Sequence, residues 1–259
     1  MTTLTFGSWL ADAPAWIAGV PEWLQRFLFQ LYQCFVYDER WKMYTSGLRI
    51  TFIVTLGALA LGIVIGLILA VIRTSYDSYT VTKPPFVLRL LNPIVKLYLT
   101  VIRGTPMMVQ LLIMGFVIMI PKTQSACVVC GIVTLGVNSG AYVAEIIRSD
   151  LQSIPKGQTE AGRSLGFNYV QTMRHIIIPQ AMKSVLPALA NEFIVLLKET
   201  SVSGYVAVKD LTKGGDIIRG VTYSAFMPLI AVAVIYLIMV MFFTWLVGKL
   251  ERRLRNSDH

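Results

Sequence analysis

Four long stretches without a charged side chain constrain this chain more than any other feature. Between Arg49 and Arg73 lie 23 uncharged residues, between Arg103 and Lys122 lie 18, between Lys122 and Glu145 lie 22, and between Arg219 and Lys249 lie 29. A hydrocarbon core of about 30 Å needs roughly 20 helical residues at 1.5 Å each. The sequence therefore predicts membrane-spanning helices over about residues 50–72, 104–120, 124–145 and 226–248. Only 14% of the 259 residues are charged and 55% are hydrophobic, against roughly 25% charged in a soluble domain. So low a charge density excludes a disordered chain. The basic residues lie between apolar runs rather than on one solvated face, which excludes a nucleic-acid binder. Three cysteines cannot staple a chain of this length. The fold class is an all-α integral membrane protein.

A fifth span is predicted over residues 184–207, SVLPALANEFIVLLKETSVSGYVA, interrupted by Glu192, Lys198 and Glu199. Ionisable groups inside a bilayer are costly and face a bundle interior or a water-filled path. Residues 86–103 extend the second span, with Pro93 and Pro106 as natural kinks. Five spans put the termini on opposite sides. Lys and Arg number 12 in segments 73–89, 148–183 and 249–255, against 8 in segments 1–49, 121–125 and 209–224. The positive-inside rule then places the C-terminus in the cytoplasm and the N-terminus outside.

Three regions follow: an extension over 1–45, a membrane domain over 46–249 and a basic tail over 250–259. The extension lacks the basic start of a signal peptide. Within PEWLQRFLFQLYQCF, residues Trp23, Phe27, Leu31 and Cys34 or Phe35 share one helical face. That helix lies at the outer interface or packs against the bundle. The tail, with Lys249, Arg252, Arg253 and Arg255, reads as an electrostatic anchor on the lipids of the inner leaflet.

No phosphate-cradling G-x-x-x-x-G-K-[ST], H-E-x-x-H or nucleophile elbow is present. The Cys127-x-x-Cys130 pair begins an apolar run without a basic neighbour to lower a thiol pKa, so both cysteines read as small packing residues. No enzyme activity is expected of this chain.

The longest connection, about residues 148–183, is long enough to be functional. It predicts one short helix from Lys156 to Leu165, stopped at Gly166, and another from Asn168 to Ile177, ended by Pro179. On the first helix Ala161, Gly162 and Leu165, flanked by Glu160, offer a low-relief surface suited to a groove in a partner protein.

These residues resemble the EAA loop of bacterial ABC importer permeases, E-A-A-x3-G-x9-I-x-L-P, through Glu160-Ala161-Gly162, Gly166, Ile176, Ile178 and Pro179. Gly162 replaces the second alanine and Ile178 the leucine. Arg103-Gly104-Thr105-Pro106 with Gln110, Gly140-Ala141-Tyr142, Ser153-Ile154-Pro155-Lys156-Gly157-Gln158 and Leu197-Lys198-Glu199-Thr200-Ser201 resemble the polar amino-acid branch. The resemblance runs over about residues 45–254; Asp150 stands where that branch commonly has glycine.

It implies a type I importer permease in the bacterial cytoplasmic membrane. Such a chain pairs with a second permease, identical or related. Each seats its coupling helix (Glu160, Ala161, Gly162, Leu165, Gly166) in one of two cytoplasmic ATPase subunits. ATP and Mg would reside on those subunits, no cofactor on this chain, and an extracytoplasmic binding protein would deliver a polar amino acid. Candidate pathway residues are Arg103, Gln110, Glu192, Lys198, Glu199, Thr200 and Ser201. For the charged ones the alternative is internal ion pairing, with Lys198 meeting a carboxylate on a neighbouring span. Gly62-x3-Gly66 and Gly136-x3-Gly140 allow close helix packing, within one bundle or between two chains. An ion-coupled secondary transporter or a membrane sensor domain is the competing reading.

Overall fold

The computed structural model describes residues 4–79 and 83–255; the last four residues of the predicted tail lie outside the described residues. Among the described residues every regular element is a helix. Helices α1 (Phe6–Asp12), α2 (Ala15–Ala18) and α3 (Glu22–Leu31) form the extension. The membrane domain follows as α4 (Trp41–Asp77), α5 (Phe86–Gly104), α6 (Met107–Ile113), α7 (Gln124–Ser153), α8 (Lys156–Ser164), α9 (Tyr169–Thr172), α10 (Ile178–Glu199), α11 (Leu211–Thr222) and α12 (Phe226–Arg255).

Helices α4, α7 and α12 are each long and apolar enough to cross a membrane. The second predicted span is not one rod. Helix α5 stops at Gly104, and Met107–Ile118 continues at 106° to it. Thr105 is extended, at φ −116° and ψ 143°, as a residue before proline prefers. The fifth predicted span is shifted: α10 starts at Ile178 and ends at Glu199, followed by a 3-10 stretch, Thr200–Val206. At 22 residues α10 is about 33 Å long, enough for a crossing. Its charges, rather than its length, separate it from the apolar helices.

The core of the bundle is the α4–α7 pair. The two helices run parallel, since Gly57 meets Ile132, Gly62 meets Ser139 and Gly66 meets Val143. Both glycine pairs lie in this interface, so they serve packing within the chain. A Cβ would stand 2.9 Å from Ser139 Oγ at Gly62 and 2.5 Å from Val143 Cγ1 at Gly66. At Gly136 it would stand 2.8 Å from Leu61 Cδ2, and at Gly140 2.7 Å from Ile65 Cγ2. Lipid supplies no hydrophobic drive between helices, so close backbone approach of this kind is what holds them. Helix α10 packs across the pair and against α12. The faces turned away, with Leu56, Val64 and Ile68 on α4 and Leu237 and Ile238 on α12, are exposed and apolar.

At the end of the bundle where α4 begins, α11 closes over it. Asp210 caps α11 by accepting from the Thr212 and Lys213 amides at 3.1 and 3.0 Å, and Thr51 Oγ1 accepts from the Leu211 amide at 3.2 Å. The extension joins the same end. Leu31, Cys34 and Phe35 pack with Tyr44 and Ile218, and the buried Arg40 guanidinium donates to the Gln33 carbonyl at 2.7 Å. Trp23 and Phe27 remain exposed at 69% and 43%. The amphipathic helix is thus packed at its C-terminal end and open along the rest of its apolar face. Cys127 and Cys130 are free and buried.

Candidate translocation path and coupling segment

Pro106 has no N–H to give to the Ile102 carbonyl. Gln110 takes its place. Its Nε2 donates to Ile102 O at 2.7 Å, to Thr105 Oγ1 at 2.8 Å and to Thr105 O at 3.1 Å. Its Oε1 accepts from Asn138 Nδ2 of α7 at 3.0 Å. The next residue of α7, Ser139, donates to Glu192 Oε1 of α10 at 2.7 Å. Asn138, Ser139 and Glu192 are all buried. A polar layer therefore crosses the bundle interior from α6 through α7 to α10. Beside it, in the angle between α5 and α6, lies a cavity of about 240 Å³ lined by Ile102, Thr105, Gln110, Thr134 and Val137 among others. Its wall is almost wholly apolar, with Gln110 supplying the polar edge.

One to two turns along α7, a second layer is ionic. Arg103 Nη1 lies 3.7 Å from Glu145 Oε2, with its guanidinium 5.6 Å from the Tyr142 ring centroid. Glu145 Oε1 meets Arg148 at 3.4 Å, and Arg148 meets Asp77 of α4 at 3.0 Å. The ladder ties the end of α5 and the end of α4 to α7. Arg103 is thus internally paired and still half-exposed.

Of the remaining candidates Glu199 lies two turns beyond Glu192, near enough for the two carboxylates to interact, and the others sit apart from it. Lys198 is six residues on, about 9 Å along the helix, and is exposed; its charge acts on the adjacent Glu199 carboxylate rather than on a described carboxylate of a neighbouring span. Glu199 is half-buried and Thr200 is buried, its Oγ1 donating to the Leu197 carbonyl at 2.8 Å. Ser201 lines a different cavity, about 300 Å³, with Thr212, Lys213, Asp216 and Arg219 of α11. Arg219 and then Lys213 hold the Asp216 carboxyl below the usual carboxylate range, at contacts of 2.5 and 3.0 Å. Asn138, Ser139 and Asp77 were not among the residues singled out from sequence. An Asn-Ser pair in the uncharged run 123–144 was the available signal for the first two, because buried polar groups need partners.

The 148–183 segment forms the predicted first helix as α8, ending at Ser164. Gly166 stops it at φ +80°, with the Phe167 amide donating to Gly162 O at 3.0 Å; the left-handed conformation favours glycine. Asn168 and Gln171 form a reciprocal capping box for α9. The second helix does not end at Pro179. It passes through a π turn, Met173–Ile177, into α10, whose first turn carries the proline. Its missing N–H costs nothing there.

Glu160, Ala161, Leu165 and Gly166 are exposed, Leu165 at 73%. Gly162 turns inward instead, where a Cβ would stand 2.9 Å from Thr172 Cγ2 and 3.0 Å from Ile176 Cδ1. The glycine at this position of the loop lets α8 sit directly on the β-branched Thr172.

The sequence matches the family model described as binding-protein-dependent transport system inner membrane component over residues 86–256. Among curated proteins it is 33% identical to the arginine transport system permease protein ArtQ of Bacillus subtilis, covering 82% of this chain and 93% of that one. It is 34% identical to the glutamine transport system permease protein GlnP of Escherichia coli K12, covering 81% and 92%. A crystal structure of an amino acid ABC transporter with histidines matches at a TM-score of 0.73 and 40% identity, over 82% of this chain and 94% of that chain. The inward-facing MetNI methionine ABC transporter shares the fold, at a TM-score of 0.72 and 22% identity over 85% and 99%. Neither an ion-coupled carrier nor a sensor is among these relatives. The chain belongs to the binding-protein-dependent transport system inner membrane components, as a permease subunit of the type I ABC importer fold.

Proposed function

We propose that this chain is the permease through which an ATP-driven importer moves a polar amino acid, delivered by an extracytoplasmic binding protein, across the bacterial cytoplasmic membrane. The observation that carries the reading is the polar layer Gln110–Asn138–Ser139–Glu192, its last three members buried and Gln110 at the edge of the cavity, between helices that face lipid on their other sides. Buried polar groups at membrane depth mark substrate paths. An amino acid brings an ammonium and a carboxylate, and the Glu192 carboxylate and the half-exposed Arg103 guanidinium are the complementary groups on offer. Lys198, Glu199, Thr200 and Ser201, at the far end of α10, line the approach.

The partners follow from chemistry that this chain lacks. It has no phosphate-cradling loop, so two ATPase subunits supply ATP and Mg chemistry, each gripping the exposed surface of Glu160, Ala161 and Leu165, with Gly166 setting the exit angle. A second permease, identical or related, completes the path. The orientation is N-terminus outside and C-terminus cytoplasmic, with the domain over 46–249, the extension over 1–45 on the outer side and the basic tail over 250–259.

The test is ATPase activity of the reconstituted complex with and without amino-acid-loaded binding protein, comparing wild type and Gly166→Asp. Strong stimulation in wild type that is lost in the variant is expected. Equal stimulation in both would separate the 148–183 segment from coupling. Import kinetics of Glu192→Gln with intact basal ATPase activity test the path: a raised KM supports it, and an unchanged KM and kcat remove Glu192 from it.

A further inference from the structure

The C-terminal end of α12 combines three features that the transport reading does not use. Its uncharged run ends at Gly248, and Lys249 is the first charge beyond it, so the hydrocarbon boundary falls there. Gly248 leaves a notch: a Cβ at that position would meet nothing within 4 Å. Along this notch runs a groove of about 450 Å³, with Met241, Thr244 and Trp245 on the apolar side and Lys249 and Arg252 at the charged end. Lys249 Nζ sits 3.8 Å from the Trp245 ring centroid, so the ammonium is held at the level where tryptophan belts lie. Behind it a second groove, about 700 Å³, is walled by Ala190, Leu246 and Val247 and shares Lys249 and Arg252, adding Arg253. Among the described residues no carboxylate lines either groove. The neighbouring Glu251 faces a different one, beside Gln180 and Lys183.

We infer that this end of α12 is a binding site for an anionic glycerophospholipid. Lys249 and Arg252 are three apart and share a helical face, and the guanidinium offers the paired donors that a phosphodiester accepts. The acyl chains lie along Met241 and Trp245, exposed at 63% and 56%, continuous with the lipid-facing side of the helix. Charge complementarity selects the headgroup: Lys249, Arg252 and Arg253, with no carboxylate among the described residues of the two grooves, favour an anionic lipid over a zwitterionic one. The inference rests on α12 being a membrane span, and not on which solute is carried.

The experiment is native mass spectrometry of the purified transporter complex titrated with phosphatidylglycerol or phosphatidylcholine. Wild type is compared with Lys249→Gln/Arg252→Gln and with Gly248→Leu, which fills the notch and leaves every charge in place. Wild type is expected to hold phosphatidylglycerol at least tenfold more tightly than phosphatidylcholine. Loss of two cations near an anionic surface lowers that affinity about 25-fold, with phosphatidylcholine unchanged. Gly248→Leu weakens phosphatidylglycerol several-fold. Undiminished phosphatidylglycerol binding by the double variant overturns the site. Displacement by millimolar inorganic phosphate alone reassigns it to a free anion. Efficient disulfide crosslinking of two Gly248→Cys chains in membranes shows the groove to be covered by a second copy, and overturns it equally.

Discussion

Replacing Gly66 by alanine puts a methyl carbon 2.5 Å from Val143 Cγ1, 2.6 Å from Val143 Cβ and 3.0 Å from the Ala144 amide nitrogen. Non-bonded carbons sit at about 3.5–4.0 Å, so α4 and α7 must separate locally by roughly 1 Å. Val143 is fully buried and β-branched, and such a side chain has one strongly preferred χ1 rotamer in a helix, which leaves the backbone to move. Overpacking of this kind costs about 1–3 kcal/mol, and the helix propensity of alanine over glycine returns up to ~1 kcal/mol. The net loss is up to about 2 kcal/mol. For a chain of this size the upper figure lowers Tm by roughly 4–8 °C, read by thermal unfolding of the detergent-solubilised transporter. Val143→Gly moves the notch to the other helix, so the double variant should be at least ~1 kcal/mol more stable than the two single effects add up to. Gly220, where a Cβ meets nothing within 4 Å, is the control: alanine there should not lower Tm. Strict additivity of Gly66→Ala and Val143→Gly would refute the packing argument. One turn away Gly62 contacts Ser139, whose hydroxyl holds Glu192, so the same 1 Å should also slow import.

Three further outcomes are expected. Gly162→Ala crowds Thr172 Cγ2 and Oγ1 and should reduce binding-protein-stimulated ATPase activity a few-fold, while adding Thr172→Ala, which removes both atoms, restores it; no restoration would mean that α8 does not rest on this contact. Gln110→Leu strands the Ile102 carbonyl and the Asn138 amide, at about 1–3 kcal/mol per buried unpaired group. Its Tm should fall by several degrees and import should slow; an unchanged Tm would show that the α5–α6 elbow stands without its pin. Asp216 has a depressed carboxyl pKa, so its stabilisation is fully present above the ordinary carboxylate range near pH 4 and is lost as pH falls through the folded value. Asp216→Asn should therefore lower Tm at pH 7 and flatten the acid limb of a Tm-versus-pH curve, the two proteins converging at low pH; an unchanged Tm at pH 7 with an identical acid limb would count against the Arg219 and Lys213 pairs.

The uncharged runs by themselves determined that this chain is a helical membrane protein and where α4, α7 and α12 cross, because an apolar segment of about 20 residues has few other stable environments. The helix of the 148–183 loop and its stop at Gly166 were equally legible, since capping and left-handed glycine are local chemistry. Tertiary structure decided the rest. Hydropathy could not distinguish a span from a 106° elbow at Thr105–Pro106, because what makes the break tolerable is a side chain four residues further on, hydrogen-bonded back to it. Spacing showed that Gly62, Gly66, Gly136 and Gly140 could sit in a close interface. Only the packed bundle assigned them to α4 against α7, since the partner of a small residue lies on another helix. Glu192 and Arg103 stood out as charges in apolar surroundings, but Ser139 and Glu145, the groups that hold them, lie 53 and 42 positions away. A burial cost is written into the residue itself; the group that compensates it is set by the fold.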